Sequence, residues 1–157
     1  MVIGLISDTH GLLRPEAVAS LAGADMIIHA GDIGSRPLLS ALRTIAPVVA
    51  VLGNNDDPGE WEDLPRFSTL RLEGVSILAI HEVALIQPAM RVPAPDIVVF
   101  GHSHRPASYI EGGIHYINPG AAGKRRFSLP VSTARVHLDC GRWEVTFHNL
   151  VDERPLP

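Results

Sequence analysis

The 157-residue sequence predicts an α/β fold with parallel strands early and antiparallel hairpins late, and three observations carry that expectation. Apolar residues make up 46% of the chain against 19% charged and 5% aromatic, which describes a globule with an aliphatic core and excludes a disordered chain. Up to residue 53, short apolar strand runs alternate with helical stretches, an order that implies parallel strands joined by right-handed crossovers. Past residue 65, paired strand patterns flank glycine-containing dipeptides, the signature of tight hairpins. The length suits one domain over residues 1–157, and no repeat, composition shift or low-complexity tract divides it.

Taken in order, "VIGLI" (2–6) reads as a buried strand ending at "SDTHG". Residues 15–23 read as a helix with Pro15 in its first turn and Gly23 closing it. "DMIIHA" (25–30) is a second strand ending at "GDIGS", and residues 35–45 a helix capped by Ser35. "PVVAVLG" (47–53) is a third strand ending at "NNDDPG". Hairpin turns are expected at Glu73-Gly74, Gly112-Gly113 and Cys140-Gly141, and "PDIVVF" (95–100) is one more continuous buried strand. Residues 82–94 read as a short helix interrupted by Pro88 or as a loop.

A net charge of −4 argues against a broad nucleic-acid interface or an anionic membrane as partner, since both usually call for a basic face. Cys140 has no second cysteine to pair with and reads as structural. The N-terminus lacks the basic start and apolar length of a secretion signal, and no apolar run approaches the roughly 20 residues that cross a bilayer. The expected location is cytoplasmic; a homo-oligomer is left open.

The polar clusters fall at the strand ends. Asp8 and His10 follow the first strand, Asp32 the second and Asn54 the third; His81 ends "VSILAI", and His102 and His104 end "IVVF". Ligands of open parallel sheets bind outside the carboxyl ends of strands, so these separate motifs are expected to converge in one crevice. Asp-x-His and His-x-His in extended chain would each put two donors on one side. Two aspartates, one asparagine and four histidines form a mixed oxygen and nitrogen set without thiolate, suited to manganese, iron, cobalt, nickel or zinc rather than calcium or magnesium. Seven donors are too many for one ion and enough for two if one carboxylate bridges. Two divalent ions against two aspartates and a bridging hydroxide leave a net positive charge of about one, which suits in-line hydrolysis of a phosphoester. Each motif alone also fits a cap, a turn or a hydrogen-bonded strand end; five in succession do not.

"SDTHG", "HAGDI", "GNND", the strand-terminal His81 and "GHSHRP", followed by "INPGAA", resemble the calcineurin-like metallophosphoesterase superfamily, and within it the small single-domain phosphodiesterases. The resemblance runs in order from Asp8 to about Gly120. It implies a four-layer α/β/β/α sandwich of mixed sheets and two divalent transition-metal ions, manganese the first choice. Asp8, His10 and His104 would hold one ion, Asn54, His81 and His102 the other, and Asp32 would bridge. It implies a phosphodiesterase in which a metal-bridging hydroxide attacks in line, with Asp32, Asn54, Asn55, Asp56 and His81 as its catalytic set. Asn118 matches a turn near the site; His29 reads as a buttress, and His115, His137 and His148 as structural.

Two departures bear on the substrate. Phosphatase and nuclease branches place a proton-donating histidine after the metal-binding asparagine, whereas Asn55 stands here and has no titrating proton to give. Asp56 or a water would have to substitute, so activated or aryl diesters are favoured over phosphoproteins. Glu82 follows His81 where the family commonly has glycine. Arg14, Arg105, Lys124, Arg125 and Arg126 flank the motifs as an anion clamp or as solvated surface, the latter favoured for Arg125 and Arg126. The expected substrate is a small, nucleotide-like phosphodiester at an open site. The competing readings are an inactive binding scaffold of this fold, as in retromer-type relatives, and a nuclease or phosphomonoesterase with the same ions.

Overall fold

The computed structural model describes residues 1–87 and 93–157. β1 (Val2–Ile6), α1 (Pro15–Leu21), β2 (Met26–His29), α2 (Arg36–Arg43) and β3 (Val48–Ala50) follow the expected alternation, and the three strands pair in parallel. Strand alternation divides their apolar side chains between two faces. Ile6 and Ile27 meet Ala17, Leu21, Leu39 and Leu42 of the helices, whereas Ile3, Leu5 and Ile28 point to the opposite side. α1 sits close because Gly4 lacks a side chain: a Cβ there would lie 2.5 Å from Leu21 Cδ2. Ser35 occupies the expected N-cap position with extended backbone, but its hydroxyl makes no capping bond. Pro37 in the first turn has no amide hydrogen, so one of the two donors that a cap would serve is missing.

β4 (Phe67–Leu72), β5 (Val75–Ile80), β6 (Ile97–Val99), β7 (Ala107–Glu111), β8 (Ile114–Asn118), β9 (Ser132–Asp139) and β10 (Arg142–Asn149) complete the fold. The three hairpins turn where expected, each over two residues of positive φ: Glu73 and Gly74, Gly112 and Gly113, Cys140 and Gly141. That geometry matches the right-handed twist of the flanking strands. The late region is not wholly antiparallel, however. β5, β6 and β8 run parallel, and the β9–β10 hairpin crosses back to lie against β1.

Two five-stranded mixed sheets result, ordered β10-β9-β1-β2-β3 and β4-β5-β6-β8-β7. They face each other across Ile3, Leu5, Ile28, Val51, Ile77, Ile97, Val99 and Ile117. Each such side chain contributes roughly 1.5–3 kcal/mol by leaving water. Leu78, Val98 and Tyr116 form the outer face of the second sheet, where Val83 and Ile86 of a short 3-10 turn (Val83–Leu85) pack. The layers therefore run helices, sheet, sheet, and a helical turn among the described residues. Pro88 of the expected interrupted helix lies outside the described residues. Among them, no helix is long and apolar enough to cross a membrane.

Candidate metal centre

Loops at the carboxyl ends of β1, β2, β3, β5 and β6 bring the seven donors together. Asp8 Oδ1 lies 3.2 Å from His104 Nε2, and His104 Nε2 lies 3.4 Å from His10 Nε2. Asp8, His10 and His104 thus form one group able to hold a cation, and Asp8, Asp32 and His81 a second that shares Asp8. Asp32 Oδ2 is 3.6 Å from His10 Nε2 and 3.5 Å from His81 Nε2, a place between the two halves. Asn54 Oδ1 lies 3.0 Å from both His81 Nε2 and His102 Nδ1. Asp8, Asp32, His81 and His104 are buried; Asn54 and His102 stand at the open mouth.

The donor chemistry fits a cation. Asp8 Oδ1 is buried without a hydrogen-bond partner in the protein, and an orphaned carboxylate oxygen in such a place calls for a positive charge. His81 Nδ1 faces the Ala30 carbonyl at 2.7 Å, so its hydrogen sits there and Nε2 faces the carboxylates. Burial opposes a charge on His81, yet the bond to Asp32, the Asp8 charge and the Ala30 carbonyl outweigh it and hold the imidazole above its ordinary pKa. Burial likewise pushes the Asp32 carboxyl up, but bonds from His81 and Asn55 overcome it and hold Asp32 well below the usual carboxylate range. Proton and metal ion therefore compete for His81 Nε2, the proton more strongly as pH falls.

The expectation that Asp-x-His and His-x-His act as extended segments does not hold. Asp8, His10, Asp32, His102 and His104 all have φ between 46° and 68°, the left-handed region. The donors converge because sharply turned loops, not strands, aim them. Three glycines escaped notice, although the sequence carried their signal: Gly31, Gly53 and Gly101 each immediately precede a ligand in "GD", "GN" and "GH". A Cβ at Gly31 would lie 2.7 Å from His81 Nδ1, and one at Gly101 2.8 Å from Asp8 Oδ2. At Gly53 a Cβ would collide with the Asp32 carboxylate. Ser7 was also missed; its hydroxyl donates to Asp8 Oδ2 at 2.7 Å.

Two residues of the expected catalytic set are hydrogen-bonded within the loops. Asp56 was expected as a substitute acid, but its carboxylate accepts the backbone amides of Ile33, Gly34 and Gly53 at 2.9–3.1 Å. It is a brace that ties the loop after β3 to the loop after β2. Asn55 was expected beside the leaving oxygen; instead its backbone amide donates to Asp32 Oδ1 at 2.9 Å and its side-chain amide to Oδ2 at 2.7 Å. It orients the carboxylate that would bridge.

The supporting residues link the loops that carry the donors. His29 Nδ1 accepts the Gly31 amide, Nε2–H donates to Thr9 Oγ1 at 2.9 Å, and the Thr9 hydroxyl donates to the Ile33 carbonyl. Full burial pulls its pKa down to about 4, and with both ring nitrogens hydrogen-bonded it is a neutral link between loops. Asn118 donates to the Gly101 carbonyl at 2.8 Å and to Ser103 Oγ at 3.1 Å, stitching the loop that carries His102 and His104. Glu82 Oε2 lies 3.9 Å from His102 Nε2. Arg125 is engaged by Asp152 and Arg14 donates to the Gly123 carbonyl, so neither is a free anion clamp. His115, His137 and His148 lie in β8, β9 and β10, away from the centre.

Comparison with known proteins places the chain in a family. The profile of the calcineurin-like phosphoesterase superfamily domain matches residues 1–141. A probable metallophosphoesterase of Methanocaldococcus jannaschii is 34% identical over 137 residues, 77% of this chain and 68% of its own. A phosphodiesterase of the same organism is 24% identical over 138 residues, 76% of this chain and 83% of its own. In fold, the chain is similar to wild-type Vps29 of Entamoeba histolytica complexed with zinc, with a TM-score of 0.80, 20% identity, and 98% and 95% of the two chains covered.

Proposed function

The chain belongs to the calcineurin-like phosphoesterase superfamily, whose members are metal-dependent phosphoesterases, and from that premise we propose that it is a dinuclear phosphodiesterase acting on small, nucleotide-like diesters. The observation that supports it most is the orphaned Asp8 Oδ1 facing the converged imidazoles, beside a second cluster that shares its carboxylates. Asp8, His10 and His104 would hold one ion, Asn54, His81 and His102 the other, with Asp32 between; manganese suits this mixed donor set. Such ions supply a nucleophilic hydroxide near neutral pH and neutralise charge on the phosphate oxygens.

The chain's own residues supply orientation. Asn55 fixes both oxygens of Asp32, the Ala30 carbonyl fixes the tautomer of His81, and Asn118 holds the loop of His102 and His104. Asn55 has no titrating proton and Asp56 is turned into backbone amides, which leaves Glu82, 3.9 Å from His102 Nε2, as a carboxyl at the mouth. The leaving oxygen would take its proton from Glu82 or from solvent, which the exposed Asn54 and His102 leave within reach, and no titrating group occupies the position of Asn55. That favours diesters with good leaving groups over phosphomonoesters and phosphoproteins.

The test is a metal-by-substrate matrix on chelator-treated protein. Manganese is expected to restore hydrolysis of bis(p-nitrophenyl) phosphate, with p-nitrophenyl phosphate turned over more slowly. Failure of every metal to restore activity would favour the scaffold reading, to which the likeness to Vps29 in fold lends interest; a preference for the monoester would favour a phosphomonoesterase.

A further inference from the structure

Beside Asn54 and His81 a cleft of about 200 Å³ opens between the loop after β3, the start of β4 and the 3-10 turn. Its floor is apolar: Leu52 and Ile80 are buried there. Its lip is apolar too, with Phe67 39% and Leu85 55% exposed. Phe67 stands directly opposite Ile80 in the β4–β5 pairing, so ring and floor share one face of the second sheet. Large apolar side chains left in water around a concave floor mark a binding surface more often than a core.

Charge and continuity say what kind of group enters. Arg66 and Glu82 both line the cleft, so the formal charges of its wall cancel and an uncharged group suits it. The cleft shares Asn54 and His81 with the candidate metal centre, so whatever fills it is joined to the group held there. The lining offers few polar atoms to a sugar or a peptide backbone, and the volume lies below the roughly 300–1,000 Å³ of clefts that hold drug-sized ligands. One ring system is the right size, and an exposed phenyl ring is a surface on which flat rings stack.

Resting on the phosphodiesterase reading above, we infer that this cleft holds the flat ring of the organic group esterified to the phosphate, an aryl ring or a nucleobase, and sets the preference among diesters. Phe67 and Leu85 are its specificity residues. Neither is a metal ligand, and both are exposed enough to be truncated without opening the core.

Titration calorimetry on manganese-loaded protein tests it with two ligand pairs, phenylphosphonate against methylphosphonate and adenosine 5′-monophosphate against ribose 5-phosphate. Wild-type protein should favour the ring-bearing member of at least one pair by about tenfold, and Phe67→Ala/Leu85→Ala should reduce that to within about twofold. Binding of inorganic phosphate should not change. A preference in the first pair identifies an aryl ester and in the second a nucleobase. Equal binding within both pairs, or a preference that survives in the double variant, overturns the inference while manganese-dependent hydrolysis of bis(p-nitrophenyl) phosphate leaves the phosphodiesterase reading standing. Absence of that hydrolysis in wild type overturns both. Leu85→Ala alone, with its melting curve, carries the test if the double variant fails to fold.

Discussion

The two sheets bring different chemistry to the same rim. Loops of the first carry every oxygen donor, Asp8, Asp32 and Asn54, together with His10; loops of the second carry imidazoles alone, His81, His102 and His104. Neither sheet owns a complete ligand set. Each cluster joins carboxylate or amide from one sheet to imidazole from the other, so the centre is a polar seam between layers that also share an apolar core. At the opposite rim the sheets are joined by a neutral bond instead: Trp143 Nε1 of β10 donates to His115 Nδ1 of β8 at 2.9 Å.

The largest test of this division removes one donor from each side. Asp32→Asn and His102→Ala should each lower manganese-stimulated hydrolysis of bis(p-nitrophenyl) phosphate by about a thousandfold or more while circular dichroism stays native. Full activity in His102→Ala would mean that the first sheet suffices. Next in size is Asp56→Ala, which leaves buried amides of the first sheet's loops without an acceptor. It should cost about 3 kcal/mol in urea unfolding, and a loss below about 1 kcal/mol would mean that the loops do not depend on this brace.

A smaller effect separates His29 from the metal ligands by pH. An imidazole whose folded pKa is about 4 binds fewer protons folded than unfolded. Its contribution to stability is thus fully present above about pH 6.5 and falls by about 1.4 kcal/mol per unit as pH drops toward 4. Urea midpoints of His29→Gln and wild type between pH 7.5 and 5 should diverge by that slope; parallel curves would place His29 outside the first sheet's buried network. The smallest effect is expected at Arg125, tied to Asp152 at the surface. Arg125→Gln should change kcat/KM less than about twofold, whereas a tenfold rise in KM would restore the anion clamp.

The seven donors were legible because each sits where an apolar run stops, a one-dimensional signal. The α-β alternation and the hairpin turns were legible for the same reason. What β9 would lie against was not: its pairing with β1 joins residues about 130 positions apart, and no local pattern encodes it. The partners of Asp56 and Asn55 were not legible, because "GNND" announces a turn without saying which side chains face inward. Only the folded loop shows Asp56 meeting the amides after β2 and Asn55 meeting Asp32.

Five of the ligands sit on left-handed backbone, and that limits how the centre could change over generations or in the hands of an engineer. Asparagine, aspartate and histidine are the residues other than glycine that enter this region most readily, whereas β-branched or bulky side chains enter it at a cost. A mutational walk toward a different ion must therefore stay within nearly the same alphabet of oxygen and nitrogen donors or rebuild the loops first. If these residues hold the metal, loop geometry constrains the choice of ion as much as donor identity does.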